Sequence, residues 1–220
     1  MKHLVYILSI LIFVGCNNKK VIENRSMVPD NSKIITTNLI DSLGNIICSI
    51  PIRYDTFFHW INRSDCGRPC EKEEYRYQPK TSVISNESGF IYLNDPKDSM
   101  ERFTIFHSGW FPFHDNLDTG YIDKLHKHRL KEMVNDPATY KIQFDTIEKI
   151  NDRKFSIIVI DLYDTEKKIY SKKVLAATSI KSNGIGFQYE LLTSKNDSIN
   201  KNFIKNSMLL LRTIKIGNGI

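Results

Sequence analysis

Hydrophobic positions fall into two kinds of run along this chain. Near the start, residues 4–14 are apolar without a break except Ser9. Beyond residue 33 the runs are short and mostly alternate with polar positions. Residues 34–40 and 46–52 read as two strands, and Asp41-Ser42-Leu43-Gly44-Asn45 between them supplies turn chemistry, so the pair is a β-hairpin. Residues 55–62 (Asp-Thr-Phe-Phe-His-Trp-Ile-Asn) read as a short helix capped by Asp55. Residues 74–78 and 81–85 look extended around Pro79. Residues 89–93 and 102–107 read as short strands separated by an Asn94-Asp95-Pro96 turn. All 7 prolines precede residue 138, so the first half is interrupted and the second half regular.

Residues 121–134 carry a helical stripe of Tyr121, Ile122, Leu125, Leu130 and Met133, with Asp118 or Thr119 as the cap and Pro137 as the stop. Four strand-like runs follow. Tyr140, Ile142 and Phe144 alternate with polar residues, which predicts one buried face. Residues 155–163 are apolar on both faces, which predicts a central strand covered on both sides. Residues 170–180 and 185–192 complete an antiparallel meander with short connections. A last helix begins near Asp197-Ser198, with Ile199, Phe203, Leu210, Leu211 and Ile214 at helical spacing and Gly217 as its end. The expected fold class is α+β: an antiparallel sheet, made of the N-terminal hairpin and the C-terminal four-strand meander, packed by a middle helix and a C-terminal helix. The order of elements over residues 140–216 resembles that of PsbP-like α+β domains. That resemblance implies a fold and no function.

The first apolar run has a different meaning. Lys2 and His3 precede it, and Gly15 and Cys16 follow it at once. A basic start, an apolar stretch and a small residue before a cut is the secretory pattern. As a helix, residues 4–14 span about 17 Å at roughly 1.5 Å per residue, too short for a hydrocarbon core of about 30 Å. Val14-Gly15-Cys16 resembles a bacterial lipobox, with Phe13 where that family usually has Leu. The resemblance implies lipidation of Cys16 and a mature chain anchored by at least two acyl chains, as stable anchoring requires. The expected organisation is a signal peptide over 1–15, a flexible tether over 16–33 and one α+β domain over 34–220. Residues 17–32 are polar and without periodicity, with a reach of about 22 Å as a flexible coil. No Asp follows Cys16. The expected location is the cell envelope, on the outer membrane facing the periplasm.

Composition narrows the function classes. Hydrophobic residues make up 41% and aromatics 11%, enough for a packed core. The formal charge of +6 is spread over interleaved cations and anions, with no basic block, so nucleic acid is not an expected partner. The expected partners are the membrane, through lipid on Cys16, and an envelope protein or small ligand. Three cysteines remain after Cys16. Cys66-Gly67-Arg68-Pro69-Cys70 is a tight loop that can close on itself, and pairing of Cys48 with one of the two is the alternative. The expectation is a Cys66–Cys70 disulfide and a buried Cys48 thiol.

The densest aromatic segment holds Phe106, His107, Trp110, Phe111, Phe113 and His114, a candidate binding surface. His107, or His114 with Asp115, is the candidate for acid–base chemistry if the protein is a hydrolase. His126 and His128 stand two apart on a helix and point to different faces, so they read as surface residues. Glu71, Glu73 and Glu74 read as a solvated face. No catalytic motif, metal-ligand spacing or cofactor fingerprint is present, so no catalytic residue, metal or cofactor is assigned. The leading expectation is a non-enzymatic binding or accessory module. The alternatives are the hydrolase and a structural envelope component.

Overall fold

The structure, a computed structural model, describes residues 29–67, 70–82, 100–108, 120–135, 141–181 and 183–217. The leader, Cys16, most of the tether, the strand expected at 89–93 and residues 109–119 lie outside them. Among the described residues, no helix is long and apolar enough to cross a membrane.

The hairpin forms as expected from β1 (Ser32–Leu39) and β2 (Gly44–Pro51), in antiparallel register with Ile35 opposite Cys48. Asp41 and Ser42 both take positive φ at its tip, the twist that suits a tight hairpin. The next run is β3 (Thr56–Asn62), a strand where a capped helix was expected. Five of its seven residues are β-branched or aromatic, and residues 56–62 pair along β4 (Lys72–Gln78). Asp55 caps no helix: its carboxylate accepts from the Lys80 backbone N–H at 2.7 Å, at the far end of β4. Of the run expected to be extended at 81–85, Thr81 and Ser82 lie in the turn after Pro79, and residues 83–85 lie outside the described residues. β5 (Met100–Ser108) then pairs with β4.

α1 (Tyr121–Val134) has the expected bounds, but its N-cap is Gly120, with no side-chain cap. The meander follows as β6 (Ile142–Ile150), β7 (Arg153–Asp164), β8 (Ile169–Ile180) and β9 (Asn183–Thr193). α2 (Ser198–Leu211) is capped by Asp197, which accepts from Asn200 N–H at 2.9 Å. It ends at Leu211, so Gly217 is not its terminator but part of β10 (Lys215–Gly217), which pairs with β2.

The fold class is α+β with antiparallel sheets. The strands divide between two sheets, with orders β3-β4-β5-β9-β8-β7-β6 and β1-β2-β10. The main core lies between the large sheet, the hairpin sheet and α2, and includes Ile46, Ile50, Phe103, Phe187, Tyr189 and Leu211. Full burial of each such side chain is worth about 1.5–3 kcal/mol. Tyrosines of the large sheet bolt the hairpin in place. Tyr77 hydroxyl meets Thr37 Oγ1 at 2.9 Å, Tyr75 hydroxyl accepts from Ile40 N–H at 3.1 Å, and Tyr189 hydroxyl donates to the Ser49 carbonyl at 3.3 Å.

α1 packs on the opposite face, over β7 and its neighbours. This accounts for the doubly apolar β7: Phe155, Ile157 and Val159 face the main core, and Ser156, Ile158 and Ile160 face the other way. β7 is covered on both sides, yet it stands next to the β6 edge rather than mid-sheet. β6 does not bury the face expected of it. Phe144 is 40% exposed, because an edge strand has a neighbour on one side only and a register shift falls between Ile142 and Phe144.

Candidate functional site

Strand pairing decides where the candidate residues stand. Cys66 and Cys70 are joined as a disulfide, with Cα atoms 5.9 Å apart, while Cys48 is a free thiol buried in β2. Burial pushes the Cys48 thiol up to about 12, so it is inert at neutral pH. Of the aromatic segment, Trp110, Phe111, Phe113 and His114 lie outside the described residues. Phe106 is on β5 opposite Gly186, and its ring occupies the space where a Gly186 side chain would begin. The Lys72 ammonium lies 4.3 Å from the ring centroid. Phe106 is therefore a packing ring between strands.

His107 is fully buried. Its Nδ1–H donates to the Ser108 carbonyl at 2.7 Å, and Nε2 faces the Tyr75 hydroxyl at 3.4 Å. Burial holds its pKa below the usual histidine value, against the pull of the Ser108 carbonyl. Both nitrogens are engaged with neutral groups, and among the described residues neither has a carboxylate within hydrogen-bond reach.

Glu71, Glu73 and Glu74 do not form a solvated face: all three are buried and each is paired. Glu71 meets Arg63 at 3.3 Å, Glu73 meets His59 at 3.0 Å and Glu74 meets Lys72 at 2.7 Å. The pairing partners come from β3, from Arg63 just past its end and from β4 itself, which is why three carboxylates can be taken from water. His59 also stacks on Tyr75 with ring centroids 4.6 Å apart.

His126 is likewise not a surface residue. It is buried under α1, with Nδ1 2.9 Å from Ser156 Oγ and Nε2 3.0 Å from Asp145 Oδ1. His128, on the other face, is exposed and paired with Glu132. Serine, histidine and aspartate in a line suggest acyl transfer, but the geometry opposes it. Ser156 has no exposed surface, and Arg129 donates to the same hydroxyl at 3.0 Å. An attacking oxygen must come within about 3–3.5 Å of a substrate carbon. The group is a structural seam, buried at Ser156 and His126 and open to solvent at Asp145, that holds α1 to β6 and β7.

A groove opens where the β2–β3 connection, the turn after β4, the start of β5 and the N-terminal half of α2 meet. Two adjoining cavities share Arg53, Glu101 and Ile199 as walls. The larger, about 380 Å³, is lined by Asp55, Lys80, Lys195 and Asp197 among others, and the smaller, about 190 Å³, by Asn202, Asn206 and Phe203. The larger alone is in the range of small-ligand pockets, about 300–1,000 Å³. Arg53 Nε donates to Glu101 Oε2 at 2.9 Å, and a second guanidinium nitrogen bonds Oε1. Tyr54 hydroxyl also donates to Oε1, at 3.1 Å. Partial burial lowers the Arg53 pKa, but the bond and charge of Glu101 outweigh it and the net shift is upward. Burial, then the Glu101 charge, raises Tyr54 well above its ordinary value. The shared wall is thus a fixed, internally neutral unit.

The rest of the groove is more open. Lys80 and Lys195 are exposed, and among the described residues neither ammonium is paired. Asp55 and Asp197 each accept through Oδ1, from Lys80 N–H and Thr56 hydroxyl and from Asn200 N–H respectively. The Lys80 N–H holds Asp55 below the usual carboxylate range. Ile199, on the apolar stripe of α2, is 41% exposed and gives an apolar surface that both cavities share. Sequence reasoning missed this site because its walls come from four segments separated by up to about a hundred and fifty residues. The Asp197 cap was the one signal that pointed near it.

Among the described residues, no group of three or more His, Cys, Asp or Glu side chains is placed to hold a metal ion. No protein-family model matches the chain, and no curated protein matches its sequence.

Proposed function

We propose that this chain is a lipid-anchored cell-envelope protein, tethered through Cys16 on the outer membrane facing the periplasm, that binds a small polar ligand in the Arg53–Glu101 groove. The observation that carries the binding role is the groove itself. It joins a ligand-sized volume to a prearranged wall whose charges are already satisfied. Such a wall offers hydrogen bonds and shape without needing to reorganise, which is what binding requires. The anchor rests on the apolar run that ends at Gly15-Cys16.

Each half has its own test. Cys16→Ala is expected to move the protein from the membrane to the soluble fraction and to abolish incorporation of labelled palmitate; continued labelling overturns the anchor. For the groove, isoleucine-methyl NMR is read against neutral, anionic, cationic and zwitterionic small compounds. The Ile199 methyl is expected to shift saturably with at least one class. If no class shifts it up to about 10 mM, a very weak affinity, the binding role is overturned.

A further inference from the structure

The groove also indicates the class of ligand, an inference that rests on the binding role proposed above. Arg53 and Glu101 cancel each other through two hydrogen bonds. What remains on the rim is Lys80 and Lys195 against Asp55 and Asp197, two charges of each sign. A simple anion meets both carboxylates, and a simple cation meets both ammoniums, so neither gains from the whole rim. A ligand with one charge of each sign gains from both. Each aspartate has Oδ1 committed to the fold through hydrogen bonds and keeps a second oxygen for an incoming donor. Each lysine supplies ammonium donors with no partner among the described residues. The same cavity is lined by the exposed side chain of Ile199 and by Leu191, an apolar surface for a side chain. The Asn202 and Asn206 amides continue along α2 into the smaller cavity.

We infer that the groove takes a small zwitterion carrying an α-ammonium and an α-carboxylate, of the size of a dipeptide, with its apolar side chain on Ile199. A single amino acid carries the same charges on a smaller frame, and the two sources are separated by including both.

The test is calorimetric titration of the whole protein with alanyl-leucine, its N-acetyl form, its C-terminal amide, the doubly capped form and free leucine. Alanyl-leucine is expected to bind at least about tenfold more tightly than either singly capped form. Binding of free leucine equal to that of the dipeptide assigns the seat to an amino acid and overturns the dipeptide size. Lys80→Gln combined with Lys195→Gln is expected to erase the difference between alanyl-leucine and its amide. Asp55→Asn combined with Asp197→Asn, whose amide oxygens can still accept the same backbone N–H groups, is expected to erase the difference from the N-acetyl form. An unchanged melting temperature shows that both double variants fold. If all five compounds bind alike and shift Ile199, the zwitterion inference falls and the binding role stands. If the dipeptide fails while another compound class shifts Ile199, the result is the same. If no compound of any class reaches Ile199, both fall.

Discussion

Gly186→Ala tests whether Phe106 is a packing ring. Gly186 is on β9 directly opposite Phe106 on β5, and Ala177 of β8 is its other neighbour. A Cβ at Gly186 would collide with Cζ, Cε2 and Cε1 of the Phe106 ring. Making room for it means shifting the ring and the Lys72 ammonium that lies 4.3 Å from its centroid. Overpacking of this kind costs about 1–3 kcal/mol. Removing a strand glycine returns about 0.5–1 kcal/mol by restricting the unfolded chain. The net expectation is a loss of about 1–2 kcal/mol, or roughly 2–8 °C for a chain of this size. With Phe106→Ala already present the collision disappears, so the same change becomes neutral or stabilising by about 0.5 kcal/mol. The double-mutant cycle, read by urea unfolding under far-UV circular dichroism, should therefore show a coupling of about 2 kcal/mol. A Gly186→Ala cost that is the same with and without the Phe106 ring would refute the packing role and return Phe106 to the binding surface.

Two further outcomes follow from buried groups. The folded pKa of His107 lies below its unfolded value, so protons bind the unfolded chain preferentially and stability is lost as pH falls through about 6.5. Comparing wild type with His107→Gln between about pH 7.5 and 5.5 should show a shallower slope in the variant, by at most about 1.4 kcal/mol per pH unit; an identical slope would mean that His107 is not buried in its neutral form. Peptide mapping after iodoacetamide treatment of the native protein should find Cys66 joined to Cys70 and Cys48 unmodified, with Cys48 reacting only after denaturation. Rapid native alkylation of Cys48 would contradict its burial, and free thiols at 66 and 70 would contradict the disulfide.

The elements legible in the sequence are those whose evidence is local. The hairpin carries its turn residues between two apolar runs, α1 carries its stripe, the meander carries short connections, and Asp197 announces α2. The failures have a common cause. β3 was ambiguous because a seven-residue aromatic run becomes a strand or a helix according to its partner, and β4 is supplied from ten residues downstream. Glu73 looked solvated because its partner, His59, belongs to that same misread strand. His126 looked exposed because nothing on α1 reveals that Ser156 and Asp145 wait beneath it.

Periodicity and turn chemistry alone determined that this chain is α+β, with antiparallel strands and two long helices, because those signals arise between residues a few positions apart. The apolar run before Gly15-Cys16 is also a local signal, and the proposal of export and a lipid tether rests on it alone. Only the tertiary structure decided that the strands divide into two sheets bolted by tyrosines, that the β4 carboxylates are buried, and that Arg53, Lys80, Glu101 and Asp197 frame one groove. Those outcomes depend on which distant surfaces meet when the core closes. Burial and charge pairing are properties of that meeting, not of any one segment.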